Sequence, residues 1–287
     1  MGDIDFYISP SLVEKTSKLL IDNGFKMLGN ECEHHSIFVK NGIHYELHYD
    51  FPGVPLGECK EKTEEYLSDT VETASIHSNN CCIFNNPDPF HHGLIMLLHT
   101  SHHLLAEGIG LRHLCDWAVF VNSFTSEEFG KLFKEKLEAI GLWKFARILS
   151  GVAVDYIGLP YKEWIGKIDS KISKELIIDI LAGGNFGRKI KTRFQEVYMI
   201  SYFGKNSSEE SVIKQLFITL NNLSYLHFPY IKKFKFFLPI GWIYFSFKHL
   251  FKVLTGKRKW LFSKNTVDAA KKRKDLYANF HLFEVKR

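Results

Sequence analysis

The sequence predicts an α+β protein in which a small mixed β-sheet unit comes first and a mainly helical C-terminal part follows. Before residue 50, apolar and polar residues alternate as in strands, and from residue 92 onward apolar residues recur at helical spacing. The composition, with 45% hydrophobic and 24% charged residues over 287 positions, is typical of a folded globular protein. We expect three parts, namely residues 1–90, 91–225 and 226–287.

The first 50 residues predict the element order β-α-β-β-β. Ile4, Phe6 and Ile8 alternate with polar residues, as in a strand with one apolar face. Asn23-Gly24 is a good signal for the end of a helix, and Asn41-Gly42 is the strongest short signal for a hairpin. The predicted strands cover residues 4–8, 25–28, 36–40 and 43–49, and the predicted helix covers residues 10–23.

Residues 51–90 have a looser pattern, and the remainder is predicted to be helical. The glycine-rich stretch 183–187 (GGNFG) is either a phosphate-contacting loop or a turn between helices. We favour the turn, because the Lys-Ser/Thr pair of a P-loop is missing. The apolar run 234–251 is interrupted by Lys235, Pro239 and Lys248, which favours a groove-packing or membrane-surface helix over a membrane span. The predicted helices cover residues 94–105, 111–121, 127–142, 143–156, 171–181, 211–224, 240–254 and 267–277.

Carboxylates on the predicted sheet form the main candidate site. Asp3 and Asp5 lie at i and i+2 on one face of the first strand, and Glu46 shares a face of the last strand with His48. If these strands are neighbours, Asp3, Asp5 and Glu46 converge into an oxygen-rich site of the kind that Mg²⁺ selects. Metal ions held this way activate an attacking hydroxyl and neutralise a leaving pyrophosphate. The alternative is an exposed strand face whose acids only contact solvent.

The chain resembles the uncharacterised nucleotidyltransferase family of the polymerase-β-like superfamily. The resemblance runs from residue 2 to about residue 255 and rests on GDIDFYI, a helix ending in DNGF, IHYELHYDF, LIMLLHTSHHLLAEGIGLRHLCDWAVFV, GGNFG and HFPYIKKFKFFLPIGWIY. It implies a Mg²⁺- or Mn²⁺-dependent transfer of a nucleoside monophosphate from an NTP, with ATP expected, to an unknown hydroxyl acceptor. Asp3 and Asp5 match the superfamily's metal-binding pair, and Glu46 stands where the third carboxylate is expected to help activate the acceptor.

The chain departs from the superfamily pattern at its N-terminus. That pattern places a strand and a Gly-Gly or Gly-Ser turn before the first aspartate strand, and backbone amides at a helix N-terminus then hold the triphosphate. Here the sequence begins at the aspartate strand itself, without the first strand and the Gly-Ser helix. Two alternatives follow: the chain is a truncated version of a longer protein, or it has lost the triphosphate cradle and with it the activity.

A secondary polar cluster is predicted around the histidines. His99 and His103 lie on one helical face, Arg112 and Asp116 follow on the next helix, and His48 belongs to the sheet. This cluster is either a second metal site bordering the nucleotide pocket or a hydrogen-bond network between helices. We favour the network, because structural zinc sites typically contain Cys/His pairs.

Positive charge is concentrated in the C-terminal tail. Residues 226–287 contain 15 Lys/Arg and 3 Asp/Glu, a net charge of +12, whereas the whole chain carries +5. Lys232, Lys233 and Lys235 interleave with aromatic residues, a pattern that suits nucleic acid or an anionic membrane surface. The alternative is a solvated helix face whose aromatic side chains pack inward on the body of the protein.

Taken with the resemblance, these patterns predict a cytoplasmic nucleotidyltransferase. The N-terminus lacks the apolar stretch of a secretory signal, and the five cysteines are an odd, scattered set typical of reduced thiols. A non-catalytic module that binds a nucleotide, a nucleic acid or a protein through the basic tail is the alternative. A histidine-metal phosphohydrolase built on the helices is a third and weaker option.

Overall fold

A computed structural model of the chain describes residues 3–29, 35–55, 57–78, 83–184, 189–190, 193, 217, 220–221, 223–225, 227–228, 230–255 and 264–285. Strands are found before residue 90 and helices dominate after it, so the predicted α+β class is confirmed. Residues 185–187 of the glycine-rich stretch and most of the predicted helix 211–224 lie outside the described residues.

The chain forms two compact units that are discontinuous in sequence. The first unit comprises Met1–His102, Gly130–Trp143 and Phe283–Arg287. The second comprises His103–Phe129 and Lys144–Leu282. The predicted boundaries after residues 90 and 225 are ends of neither unit, and the three-part division stays a prediction.

A mixed sheet of four strands organises the first unit. The strands are β1 (Ile4–Tyr7), β2 (Lys26–Gly29), β3 (His35–Lys40) and β4 (Ile43–His48). Their order is β1-β4-β3-β2, with β4 parallel to β1 and antiparallel to β3. The turn between β3 and β4 is Asn41-Gly42, and both residues have positive φ, as the twist of a two-residue hairpin requires.

The predicted order β-α-β-β-β is confirmed. A 3₁₀ turn (Pro10–Leu12) leads from β1 into α1 (Val13–Asp22), and the chain then passes through Gly24 with φ +82°. Glycine takes this left-handed conformation without a Cβ clash, which explains why the helix ends there. One face of the sheet buries Ser36, Phe38 and Leu47, and the opposite face carries the polar residues described below.

The segment that follows β4 contains elements that the sequence pattern does not reveal. They are α2 (Lys60–Leu67), β5 (Ser75–Ser78) and β6 (Ile83–Asn86), and the last two pair as an antiparallel hairpin. Within α2 only Thr63 and Leu67 are buried, and the residues of β5 are all exposed. Without an apolar face, these elements lack the periodicity from which helices and strands are predicted.

Helices make up most of the remaining described chain. Their ends lie within five residues of the predicted ones wherever both are described, and the short helix Tyr230–Lys233 is not among the predicted ones. In the part of the chain that the structure describes, no helix is long and apolar enough to span a membrane. The helices are α3 (Pro89–Leu105), α4 (Leu111–Asn122), α5 (Ser126–Ala139), α6 (Trp143–Tyr156), α7 (Ser170–Gly183), α8 (Tyr230–Lys233), α9 (Leu238–Leu254) and α10 (Lys264–Ala278).

A buried ion cluster lies between α7 and α10 in the second unit. Arg193 is buried and donates to both carboxylate oxygens of Asp179, at 2.7 and 2.9 Å. Arg273 is also buried and donates to the hydroxyl oxygen of Tyr277 at 2.7 Å. Burial and the nearby Asp179 carboxylate raise the pKa of Tyr277 to about 12, so its hydroxyl stays protonated. The cluster therefore depends on Asp179 as a counter-ion for buried guanidinium groups.

We expect Asp179→Ala to lower the free energy of unfolding by about 3–5 kcal/mol, because it leaves Arg193 buried without this carboxylate. Asp116→Ala is the matched control, since Asp116 pairs with Arg112 on the exposed surface of α4. Its loss should cost about 0.5 kcal/mol or less. Urea unfolding of both variants measures the two values, and equal losses would contradict a structural role for the buried cluster.

Candidate functional site

The register of three strands brings four polar side chains to one face of the sheet. Asp5 of β1 lies directly opposite Glu46 of β4. His35 of β3 lies directly opposite His48 of β4. Because side chains alternate along a strand, Glu46 and His48 share a face, and the residues opposite them share it too. The site thus contains two carboxylates and two imidazoles.

His48 is the central residue of this group. Its Nε2 lies 3.2 Å from Oδ1 of Asp5 and 3.4 Å from Oε2 of Glu46. The same Glu46 oxygen is 3.6 Å from Nε2 of His35, and the two imidazole centroids are 4.8 Å apart. His48 is only 8% exposed, whereas the side chain of Asp5 is 48% exposed. Solvent therefore reaches the site from the Asp5 side.

Electrostatics favour a positively charged His48 when no cation is bound. Burial alone would lower the pKa of this imidazole, but hydrogen bonds to Asp5 and Glu46 and the charges of these groups raise it to about 9. Burial would likewise raise the pKa of Asp5, yet the hydrogen bond and charge of His48, together with His99, lower it overall. At neutral pH an imidazolium therefore lies between two carboxylates.

Helix α3 adds a third histidine to the surroundings of the site. Burial lowers the pKa of His99, and the negative charges of Asp5 and Glu46 oppose this effect. Gly53, in the loop after β4, has φ +87°, and a Cβ there would overlap the backbone carbonyl of Leu98. Only glycine fits this position, both for its conformation and for its space. The loop and α3 are therefore in close backbone contact beside His99.

The N-terminus of α3 is held by a second group of acids and a histidine. Oδ1 of Asp88 accepts the backbone N–H of His91 at 2.9 Å and so caps the helix. Oδ2 of Asp88 lies 2.9 Å from Nδ1 of His91, and Oδ1 of Asp69 lies 3.1 Å from Nε2. Burial would raise the pKa of Asp88, but the hydrogen bonds with His91 hold it below its ordinary value. These contacts fix the start of the helix that carries His99.

The predicted site residues are brought together in part. Asp5, Glu46 and His48 meet as described, and the charge of His99 acts on Asp5. Asp3 is exposed and lies immediately before β1, two residues from Asp5.

The rest of the predicted polar cluster belongs to the second unit. The ring of His103 is 5.7 Å from that of His113, and Nε of Arg112 is 3.4 Å from Oδ2 of Asp116. His48 and His99 belong to the first unit, and the predicted polar cluster stays a prediction. In the tail, Lys233 and Lys235 are exposed, whereas the side chain of Lys232 lies outside the description.

Sequence reasoning missed His35, although a usable signal was present. The two-residue turn Asn41-Gly42 pairs Lys40 with Ile43, and counting outward along both strands pairs His35 with His48. A hairpin with a known turn has a fixed register, so the residue opposite a candidate ligand can be read directly from the sequence.

The donor atoms of the site could hold a divalent cation. His35, Glu46 and His48 each offer one ligand atom, and these atoms lie within 4.8 Å of one another. Among the described residues, the buried Nδ1 of His48 has no hydrogen-bond partner. Carboxylates suit Mg²⁺ and Mn²⁺, and imidazoles suit transition metals such as Zn²⁺. The residues present therefore fit a divalent cation, whose binding must compete with the proton on His48.

One family matches the chain in comparisons with known proteins. A family model described as "Uncharacterised nucleotidyltransferase" matches residues 1–158, which is more than half of the 287 residues. The matched range contains β1, β3 and β4 and every residue of the site above. No curated protein and no solved structure matches the chain.

In protein treated with a chelator, we expect the stabilising contribution of His48 to disappear as the pH rises from 6.5 to about 9. The folded pKa lies above the unfolded one, so the contribution is complete below the unfolded value and lost as pH passes the folded value. The difference in free energy of unfolding between the unaltered protein and His48→Gln should shrink by about 2 kcal/mol, because exposure of Asp5 weakens the full effect.

Urea unfolding of both proteins across this pH range measures the difference. His44→Gln, at an exposed position of the same strand, is the matched control. Its free energy of unfolding should vary with pH as that of the unaltered protein does. A difference between the unaltered protein and His48→Gln that stays constant with pH would contradict the charge balance described here.

Proposed function

The chain belongs to the uncharacterised nucleotidyltransferase family, and from this premise we propose that it transfers a nucleoside monophosphate from an NTP to a hydroxyl acceptor. The observation that carries the proposal is the register that sets Asp5 opposite Glu46 within the region matched by the family. Paired carboxylates at neighbouring strand positions suit the binding of Mg²⁺ or Mn²⁺ beside phosphate oxygens. ATP is the proposed nucleotide.

The proposed metal ligands are Asp3, Asp5 and Glu46. His48 lies beside Asp5 and Glu46, and His35 lies beside Glu46. A divalent cation bound there supplies positive charge to the triphosphate and to the leaving pyrophosphate. His48 is proposed as a positioning residue, because its hydrogen-bond distances to Asp5 and Glu46 fix how the two carboxylates face each other. The half-exposed Asp5 leaves the solvent side of the site accessible to a nucleotide.

The proposed reaction needs one base and one leaving group. The acceptor oxygen forms a bond to the α-phosphorus, and the bond from this phosphorus to the bridging oxygen of the β-phosphate breaks. Pyrophosphate leaves with that electron pair, and the hydroxyl proton passes to the carboxylate of Glu46. Glu46 is half-buried on the central pair of strands, so its position is well fixed for this role.

We expect ATP with MgCl₂ or MnCl₂ to raise the thermal unfolding temperature of the chain. Asp5→Asn and Glu46→Gln should each weaken nucleotide binding by about tenfold or more, because each removes a charged ligand. Glu64→Gln is the matched control, since Glu64 pairs with Lys60 on the surface of α2. Equal stabilisation of all three variants by ATP would contradict the proposed site.

Transfer itself is measured with ATP labelled at the α-phosphate, incubated with the chain and with fractionated cell extract. We expect label on an acceptor together with released pyrophosphate, and a loss of about a hundredfold or more in Glu46→Gln. ATP binding without label transfer to any fraction would contradict the proposed reaction. Nucleic-acid binding that is steeply salt-dependent and unchanged in Asp5→Asn would favour the non-catalytic module that binds through the basic tail.

A further inference from the structure

Helix α9 in the second unit exposes a continuous apolar stripe. Its residues recur at spacings of three and four, which places them along one helix face. The stripe consists of Ile240, Ile243, Phe247, Phe251 and Leu254, of which Phe247 is 68% and Leu254 75% exposed. The other side of the helix packs on its own unit, since Gly241 and Phe245 are buried. Gly241 lies so close to Ser224 that a larger side chain would not fit.

The stripe continues beyond the N-terminus of α9. Phe234 and Phe236 are exposed in and before the 3₁₀ turn Lys235–Phe237 that leads into the helix. This apolar surface is continuous along a whole helix and its entry turn, whereas the exposed apolar residues of monomers are usually scattered singly. A helix of this length extends about 25 Å, so the stripe is long enough to serve as a docking surface.

The chain around the stripe is uniformly basic. Between Leu226 and Val267 the sequence has nine Lys/Arg and no Asp or Glu. Lys233 and Lys235 are exposed beside the entry turn, and Lys248 is exposed beside the stripe, with its Nζ 5.4 Å from the ring centroid of Tyr244. Lysine stems can lie along an apolar surface while their ammonium groups extend to an anionic layer.

We propose that α9 binds the anionic surface of a lipid bilayer. The helix would lie in the plane of the interface, with its apolar stripe among the upper acyl chains and its lysines at the level of the phosphates. This surface lies outside the carboxylate site, and the proposal does not depend on nucleotidyl transfer.

The stripe's composition favours lipid over nucleic acid. Ile240, Ile243 and Leu254 are aliphatic, whereas single-stranded nucleic acids are bound by stacking on aromatic rings. On α9 the exposed Lys248 flanks the stripe, and Lys233 and Lys235 lie at its entry turn, as in helices that lie in a membrane interface. Charge complementarity also favours an anionic lipid layer over an apolar protein groove, because the segment carries no acid at all.

Flotation of the full chain with vesicles tests the proposal. We expect the chain to bind vesicles of phosphatidylcholine with about one-third phosphatidylserine roughly a hundredfold more tightly than vesicles of phosphatidylcholine alone. Added salt should weaken the binding, since it screens the lysines from the lipid phosphates.

Two sets of variants separate the apolar and the charged contributions. Ile243→Glu with Phe247→Glu should reduce binding to both kinds of vesicle by about tenfold or more. Gln at positions Lys233, Lys235 and Lys248 should reduce binding to anionic vesicles by about fivefold per lysine and leave the weak binding to neutral ones. Val119→Glu is the matched control, because Val119 is a 73% exposed apolar residue on α4.

Circular dichroism confirms that each variant is folded before it is tested. Failure of the folded chain to bind anionic vesicles, or binding that Ile243→Glu with Phe247→Glu leaves unchanged, would overturn the proposal. A second result would also overturn it. In that case vesicle binding is absent, and the double change abolishes either binding to a labelled single-stranded RNA or self-association in sedimentation.

Discussion

The parallel pairing of β1 with β4 is the constraint on which the candidate site depends. It sets Asp5 beside Glu46, and like charges opposite each other destabilise a sheet unless they are balanced. His48 provides that balance, because its ring lies within hydrogen-bond distance of Asp5 and close to Glu46. The strand pairing that folds the first unit therefore also concentrates negative charge at one place on its surface.

Histidine and arginine serve different purposes in the two units. In the first unit, His48 can lose its charge, so the carboxylates around it can exchange a proton for another cation. In the second unit, Arg193 and Arg273 cannot lose theirs, and Asp179 is held between α7 and α10 by permanent charges. The first arrangement suits binding and release, and the second suits a fixed connection between helices.

How far the sequence predicts the protein depends on how local each signal is. Asn41-Gly42 and the alternation around it fix the hairpin, and strong apolar periodicity predicts α6 at its observed ends. Alternation also predicts that Glu46 shares a face with His48. The pairing of β1 with β4 is not local, since it joins segments some forty residues apart, and only the folded chain or the family resemblance supplies it.

Gly53 allows the loop after β4 to approach α3 closely in the first unit. Since a Cβ at this position would overlap the carbonyl of Leu98, the strand-end loop and α3 approach each other more closely than any other residue would allow. A transplant of the sheet alone into another scaffold would lose the contact between the loop and α3. His99 would then have no defined distance from Asp5. A transferable module would therefore need this loop and the His99 turn of α3 in addition to the sheet.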